Sequence, residues 1–424
     1  MIRKDFRKRI TLLALTGALT AGLCACSNTA SDGYDASSAA SIEASSETES
    51  TGEASSETEN TDGVSSEADS SDKASSTTES TDEASEDTAP DAADQAEDPS
   101  DEAPEEDSGT PLPVPEGQYL SELTGLPIDK DLEMQRPIAV MIDNEIKALP
   151  HYNTAGADIV YEMMNSTAND RITRLMCIYK DWENLPQTGS IRSVRPTNIL
   201  VAQEYDAVIC HDGGPFHIND YFSRYPYHFS GTFSRVNNGK AREFTEYILK
   251  GDLDRNFART GWSKEYSEAP TPHFNFADYG TTTNLDDWDA DGIRTANHIE
   301  LPFYHNKSKL VYNEETKTYD YYEYGKQHLD AETKAPLTFT NVLLQDCSFH
   351  QYDKNGYLIY NCIDKFKFAY YCTEGKNISI LWTKEGEGGV TRFFNASGEE
   401  IKINPGKTYI GIIPDDTWDE VKIY

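Results

Sequence analysis

Hydrophobic and polar positions divide this chain into a short apolar run, a long polar stretch and a mixed region. The apolar run covers residues 10–23 and follows five basic side chains. It is too short to cross a membrane as a helix, so it predicts a secretory signal. Residues 27–116 contain Tyr34 as their only aromatic side chain. Such a stretch cannot bury enough apolar surface to offset its ordering entropy, and we expect it to be disordered.

The first part of the mixed region has the pattern of strands that alternate with helices. Short apolar runs bounded by turn residues predict buried strands at residues 138–142, 158–161, 172–179 and 207–210. Helical spacing predicts a helix at 196–204, with Pro196 in its first turn, and a second at 241–250, ended by Gly251. We therefore expect a mixed α/β domain over residues 117–295.

After about residue 295 the pattern changes to short alternating runs separated by turn signals. These runs predict strands at residues 298–303, 309–312, 318–324, 339–345, 357–360, 366–372, 378–383, 390–394 and 409–413. An antiparallel sheet or a small barrel is expected over residues 296–424. The predicted fold class is α+β, with the β-rich domain following the mixed one.

The polar stretch is an acidic tether built on ten-residue repeats such as EASSETESTG and EASSETENTD. Residues 27–116 carry 27 acidic side chains and one Lys, so a formal net charge of −14 remains for residues 117–424. A neutral coil of this length spans roughly 50 Å, and like-charge repulsion extends it. Because no basic face is evident, nucleic-acid binding is disfavoured.

The signal ends in a sequence typical of bacterial lipidation. Leu23-Cys24-Ala25-Cys26 looks like a lipobox, which makes residues 1–25 the signal peptide and Cys26 the acylated first residue of the mature chain. Cys24 is the rival site, and an uncleaved signal anchor is the alternative. Two acyl chains on Cys26 would hold the protein on the outer, extracytoplasmic face of the cell membrane. The tether then covers residues 26–116.

Five cysteines remain after this processing. Outside the cytoplasm a disulfide is permitted, most plausibly among Cys347, Cys362 and Cys372. Cys177 and Cys210 lie in apolar runs and are expected to be buried small hydrophobic residues.

The densest polar cluster is Gly189-Ser-Ile-Arg-Ser-Val-Arg-Pro196, just before the predicted helix. Arg192 and Arg195 beside a helix start are suited to bind a carboxylate or phosphate. The alternative is that both guanidinium groups pair with carboxylates of the same acidic domain.

Asp143, Glu162 and His211 each come at or just after the end of a predicted strand. If the strands are parallel, these side chains meet at one edge of the sheet. His211 with Ser193 and Asp143 is a weak set of catalytic candidates for acid–base chemistry. No G-x-S-x-G, H-E-x-x-H, Walker A or G-x-G-x-x-G motif accompanies them. Whether the protein is an enzyme stays open.

Asp287, Asp289 and Asp291, followed by Gly292, match the start of a calcium loop. The glutamate expected at the twelfth position is replaced by His298. A solvated acidic loop is the alternative, so calcium is possible and no other cofactor is predicted.

Several phrases together resemble the YerB-like lipoproteins of Gram-positive bacteria, which carry a two-part domain of unknown function. The N-terminal half is similar over the segments beginning RPIAVMIDN at Arg136, ADIVYE at Ala157 and IRSVRP at Ile191. The C-terminal half is similar at GKQHLD from Gly325, WTK from Trp382 and NPGKT from Asn404. The resemblance implies two domains and a lipid anchor but names no catalytic residue.

These observations favour a membrane-anchored protein of the cell envelope that binds a wall polymer or a wall-synthesis partner, or regulates such a partner. The alternative is an envelope hydrolase or transferase that uses the His211, Ser193 and Asp143 cluster.

Overall fold

A computed structural model describes residues 109–286, 288 and 292–424 of the protein. The predicted signal peptide, the lipidation site Cys26, the tether up to residue 108, and Asp287, Asp289 and Asp291 lie outside the described residues. The described part contains no helix that combines the length and the apolar character needed to cross a membrane.

Strands form most of the regular structure in the described residues. In chain order they are β1 (Gln118–Leu120), β2 (Pro127–Asp129), β3 (Ile138–Asp143), β4 (Ile159–Met164), β5 (Thr173–Tyr179), β6 (Thr188–Gly189), β7 (Val208–His211), β8 (His228–Ser230), β9 (Ser234–Arg235), β10 (Glu246–Ile248), β11 (Arg294–Thr295), β12 (His298–Glu300), β13 (Lys309–Asn313), β14 (Thr318–Glu323), β15 (Lys326–Gln327), β16 (Thr338–Phe339), β17 (Asn341–Cys347), β18 (Phe349–Gln351), β19 (Leu358–Tyr360), β20 (Lys367–Thr373), β21 (Lys376–Thr383), β22 (Arg392–Phe394), β23 (Thr408–Pro414) and β24 (Lys422–Ile423).

Helices are short. The α-helices of the described residues are α1 (Pro196–Ala202), α2 (Ile218–Arg224) and α3 (Asp252–Thr260). Single 3₁₀ turns occur at Lys130–Leu132, Ile146–Ala148, Thr154–Gly156, Gln203–Tyr205, Arg242–Phe244 and Trp418–Glu420.

One large sheet runs through both halves of the chain. Its strand order is β11-β21-β20-β17-β23-β4-β5-β3-β7-β8, with β22 beside β21. The halves join where β23 pairs in parallel with β4, from Thr408 opposite Ile159 to Ile412 opposite Met163. Residues on the two sides of the predicted boundary at 295/296 therefore share one hydrogen-bonded sheet.

Both faces of this sheet are covered, which explains its uninterrupted apolar strands. Along β3, Ala139 and Met141 point into one apolar cluster, whereas Ile138, Val140 and Ile142 point into the other. A second, antiparallel sheet of β15-β14-β13-β12-β24 with β16 supplies side chains to the latter cluster, including Leu310 and Tyr319. The two sheets thus enclose one of the two cores between them.

Polar contacts also join the halves. The Lys384 ammonium lies 3.0 Å from the Glu204 carboxylate, and both side chains are buried. Thr391 donates its backbone N–H and its hydroxyl to the same carboxylate, at 2.9 and 3.0 Å. Glu204 follows α1 in the N-terminal half, and Lys384 lies in the C-terminal half. This buried ion pair therefore links the two halves.

The α+β class describes this architecture in the broad sense, but the N-terminal half is not a clear mixed α/β domain. Its strands β3, β5 and β4 are antiparallel neighbours, and its helices have only seven to nine residues. The helix predicted at residues 241–250 is wrong. That segment forms a 3₁₀ turn and β10, and Gly251, with φ +84°, precedes α3 instead of ending a helix.

The predicted disulfide is also wrong, because Cys347, Cys362 and Cys372 are all free and buried thiols. Cys372 points into the core on one face of the large sheet, whereas Cys347 and Cys362 belong to the core on the other face. Cys177 and Cys210 are buried free thiols, as predicted. Burial raises the pKa of Cys362 and Cys177 to about 12, so these thiols stay protonated and unreactive.

Candidate functional site

Strand directions bring Asp143, Glu162 and His211 to one edge of the large sheet. β3 and β4 are both antiparallel to β5, and β7 is parallel to β3, so β3, β4 and β7 run the same way. The sequence-based expectation of a shared edge is therefore confirmed. The three side chains nevertheless have different partners, and the edge holds separate clusters.

Asp143 is the centre of an ion-pair network. Its buried carboxylate lies 3.1 Å from the Arg174 guanidinium and 2.7 Å from that of Arg192. Arg192 is about a quarter exposed and also contacts Glu243 at 2.9 Å. Asp143 therefore holds two positive charges at the sheet edge. Arg192 pairs with carboxylates of its own domain, which is the alternative to ligand binding given in the sequence analysis.

Arg195 is held differently. Its guanidinium donates to the backbone oxygens of Asn165 and Val194, at 3.1 and 2.9 Å, and to the Ser193 hydroxyl at 3.0 Å. It also lies over the Tyr357 ring, 4.7 Å from the centroid. Among the described residues, no carboxylate forms an ion pair within 4.0 Å of this guanidinium. Asp353 attracts it only from a longer distance.

Arg174, Arg192 and Arg195 together form what we term the arginine cluster. The pKa of Arg195 is lowered to about 10, chiefly by burial and in smaller part by the positive charges of Arg174 and Arg192. Burial also lowers the pKa of Arg174, and its Nε has no hydrogen-bond partner in the part of the chain that the structure describes. The cluster is therefore a place where an added negative charge would be stabilised.

His211, Ser193 and Asp143 do not form a catalytic cluster in the described structure. The His211 ring bonds to the Gly213 carbonyl oxygen at 2.8 Å and to the His228 ring at 2.9 Å. Burial lowers the pKa of His211 to about 4, which keeps the ring neutral at pH 7. Ser193 bonds to Arg195 instead, and no hydrogen bond or ion pair joins the three residues.

Glu162 is buried in a network that the sequence did not reveal. Its Oε2 accepts from the Tyr321 and Tyr409 hydroxyls, at 2.9 and 2.7 Å. Its Oε1 accepts from Thr173, Asn306 and, at a longer distance, Asn144, at 2.9, 2.7 and 3.4 Å. Burial raises the pKa of Glu162, while these donors favour its ionised form. Three of the five donors come from the C-terminal half of the chain.

A second buried group combines His151, Glu323 and His328, whose nitrogen and oxygen atoms all lie within 4.8 Å of one another. Sequence reasoning missed it because His151 is distant along the chain from the other two. One signal was available: Glu323 occupies an inward position in the alternating pattern of β14, where an apolar residue is expected. Calcium binding by Asp287, Asp289 and Asp291 stays a prediction, since these residues are outside the described part.

Asp212 and Glu246 share Arg235, whose guanidinium contacts both carboxylates. The pKa of Glu246 is raised to about 7, chiefly by burial and in smaller part by the neighbouring Asp212. Because the folded-state pKa lies above the ordinary value of 4.5, the folded protein keeps this proton over a range where the unfolded chain has lost it. Glu246 therefore contributes stability at low pH that is lost as the pH rises towards about 7.

Glu246→Gln should remove this dependence, since the amide imitates the protonated acid. We expect the variant to gain stability relative to the wild type by about 1–2 kcal/mol between about pH 5 and about pH 8. Urea unfolding of both proteins across that range measures the difference. Glu265→Gln, at an exposed carboxylate, should follow the wild type. A difference that does not change with pH would contradict the raised pKa.

Comparisons with known proteins agree with the sequence resemblance. Residues 123–263 match the N-terminal domain of a protein family of unknown function, DUF3048, and residues 299–410 match its C-terminal domain. YerB of Bacillus subtilis (strain 168) is 26% identical to this chain over 320 residues. YerB is provisionally described as a lipoprotein. That alignment covers 69% of this chain and 86% of the relative.

The fold is similar to the crystal structure of YerB from Bacillus subtilis, with a TM-score of 0.62 and 20% sequence identity. The similarity covers 72% of this chain and 99% of the YerB chain. At this identity the likeness concerns the fold alone.

Proposed function

The chain belongs to the DUF3048 family, whose function is unknown, and we therefore infer a function from the site itself. We propose that the protein is an extracytoplasmic lipoprotein that binds or regulates a partner in the cell envelope. Its arginine cluster would hold a carboxylate or phosphate group of a wall polymer or of a wall-synthesis protein. The single observation that carries this proposal is the buried guanidinium of Arg195, which has no carboxylate partner among the described residues.

The charge balance at the cluster supports an anionic ligand. Three guanidinium groups lie near one another, and the carboxylates that contact them are Asp143 and the half-exposed Glu243. Residues 117–424 carry a net charge of −14, so most of this domain repels anions. A local excess of positive charge is therefore an exception within it. Buried cations are normally paired, so the surplus indicates a missing partner.

The predicted lipid anchor and tether would place the folded part in the cell envelope, where such a ligand occurs. Lipidation at Cys26 agrees with the description of the YerB relative as a lipoprotein. An acidic tether of about 90 residues would carry the folded part away from the membrane surface and towards the wall.

We expect an anionic ligand to raise the melting temperature of the full chain in mild detergent. Glycerol-phosphate polymer and muropeptides with free carboxylates are the two probes, and they separate phosphate from carboxylate ligands. A probe at 100 times its Kd should raise Tm by about 5 °C. Arg195→Gln and Arg192→Ala should each remove the shift, whereas Arg294→Ala, on the strand at the far edge of the sheet, should keep it.

Shifts are compared with the melting temperature of each variant without ligand, which separates binding from a change in basal stability. The proposal fails if neither probe shifts the wild type, or if both cluster variants retain the full shift. The envelope hydrolase or transferase inferred from sequence draws no support from the contacts of His211, Ser193 and Asp143.

A further inference from the structure

We infer that His151, Glu323 and His328 form a buried site for a divalent transition metal ion, with zinc as the ion that suits their atoms best. The site lies outside the arginine cluster. It joins the two halves of the chain, because His151 follows β3 while Glu323 ends β14 and His328 follows β15. All three side chains are at least nine-tenths buried.

The orientation of His151 makes one nitrogen available. Its Nε2 lies 2.6 Å from the backbone carbonyl oxygen of Asp143, which can only accept, so Nε2 carries the proton. In the neutral ring Nδ1 then presents a lone pair. This Nδ1 lies 4.0 Å from the Glu323 carboxylate and has no hydrogen-bond partner in the described structure.

His328 has an outer partner of the same kind. Its Nε2 lies 2.8 Å from the Thr154 hydroxyl, and its Nδ1 lies 2.7 Å from Oε1 of Glu323. Because a carboxylate oxygen only accepts, Nδ1 carries a proton in the metal-free group and donates it to Glu323. A metal ion at Nδ1 would replace this proton and leave the ring's proton on Nε2, where the Thr154 hydroxyl can accept it. A ligating histidine in metalloproteins commonly donates its second nitrogen to a carbonyl, carboxylate or other acceptor, which fixes the ring. Both rings of this group already have that outer partner.

Glu323 supplies the negative charge. Its Oε2 is buried without a hydrogen-bond partner in the described part of the chain. A cation between the three side chains would satisfy both Oε2 and the His151 Nδ1. Two imidazole nitrogens and one carboxylate oxygen suit zinc, whereas calcium and magnesium prefer ligand sets made of oxygen. Tetrahedral zinc needs ligand atoms about 3.3 Å apart. On binding, the 4.0 Å between His151 Nδ1 and Glu323 would therefore shorten, and the 2.7 Å between His328 Nδ1 and Glu323 would lengthen.

The test uses the full chain in mild detergent, freed of metal by a chelator and then titrated with zinc chloride. Excess magnesium occupies weak oxygen sites of the acidic tether. We expect one zinc ion per chain by elemental analysis and a higher melting temperature with zinc. His151→Gln and Glu323→Gln should each weaken the affinity by more than about 100-fold. His350→Gln, at an exposed histidine, should bind zinc like the wild type.

Cobalt binding to the wild type provides a readout that does not depend on the variants folding. A tetrahedral nitrogen–oxygen site gives intense visible absorption, and zinc should displace it. The inference is overturned if the wild type takes up no stoichiometric zinc, or if His151→Gln and Glu323→Gln retain it. In that case the group is a buried hydrogen-bonded pair of His328 and Glu323 with His151 beside it.

Discussion

Glu162→Leu is expected to lower the free energy of unfolding by about 4 kcal/mol or to prevent folding altogether. The substitution removes the acceptor of five buried donors: the hydroxyls of Thr173, Tyr321 and Tyr409 and the amides of Asn306 and Asn144. Each buried donor without a partner costs about 1–3 kcal/mol, although neighbouring losses do not simply add. The loss follows whether Glu162 is ionised or protonated, because either form accepts from these groups.

Urea unfolding monitored by circular dichroism measures this effect. Two matched variants divide it: Glu162→Gln keeps one acceptor oxygen and the side-chain shape, and Tyr409→Phe removes a single donor. Both should lose less stability than Glu162→Leu. If Glu162→Leu unfolds within about 1 kcal/mol of the wild type, the network does not have the stabilising role that its geometry indicates.

Separating the chain at residue 295 should abolish cooperative folding of both pieces. A fragment of residues 109–295 would leave the edge of β4 unpaired, remove three donors to Glu162 and leave Glu204 without Lys384. Breaking a buried ion pair by removing one partner costs about 3–5 kcal/mol, and the lost sheet contact adds to that. We therefore expect each fragment to unfold or aggregate by itself, although each contains one half of the family domain pair.

Thermal unfolding of three chains checks this expectation: residues 109–295, residues 296–424, and the uncut 109–424. The uncut chain should melt in one transition. The two fragments, expressed together, should form a complex that melts in the same way. A cooperative transition of 109–295 in isolation would instead show that the N-terminal half is an independent folding unit.

Local patterns in the sequence predicted the strands well, because buried strands need uninterrupted apolar residues of the kind found in β3 and β5. They also placed Asp143, Glu162 and His211 on one edge. The segment at 241–250 failed because ten residues with apolar positions three or four apart do not distinguish a helix from a turn followed by a strand. The true helix, α3, places Leu253 and Phe257 four residues apart but is otherwise polar.

Contacts between distant residues could not be predicted. The pairing of β4 with β23 joins segments at opposite ends of the folded region, and no local pattern specifies such a partner. The same limit applies to His151 beside Glu323, and to Tyr321 and Tyr409 beside Glu162. For Arg192 the sequence left ligand binding and internal pairing open, and the positions of Asp143 and Glu243 in the structure show that it is paired.

The place of β23 in the large sheet also sets the order in which the protein can acquire its structure. β23 is the last strand of that sheet along the chain, yet it lies between β17 and β4, near the middle of the strand order. Until β23 is available for pairing, β4 and β17 therefore each keep an unpaired edge. β23 becomes available only after every other strand of the sheet. Exposed edges of this kind promote aggregation, so we expect a chain truncated before β23 to aggregate.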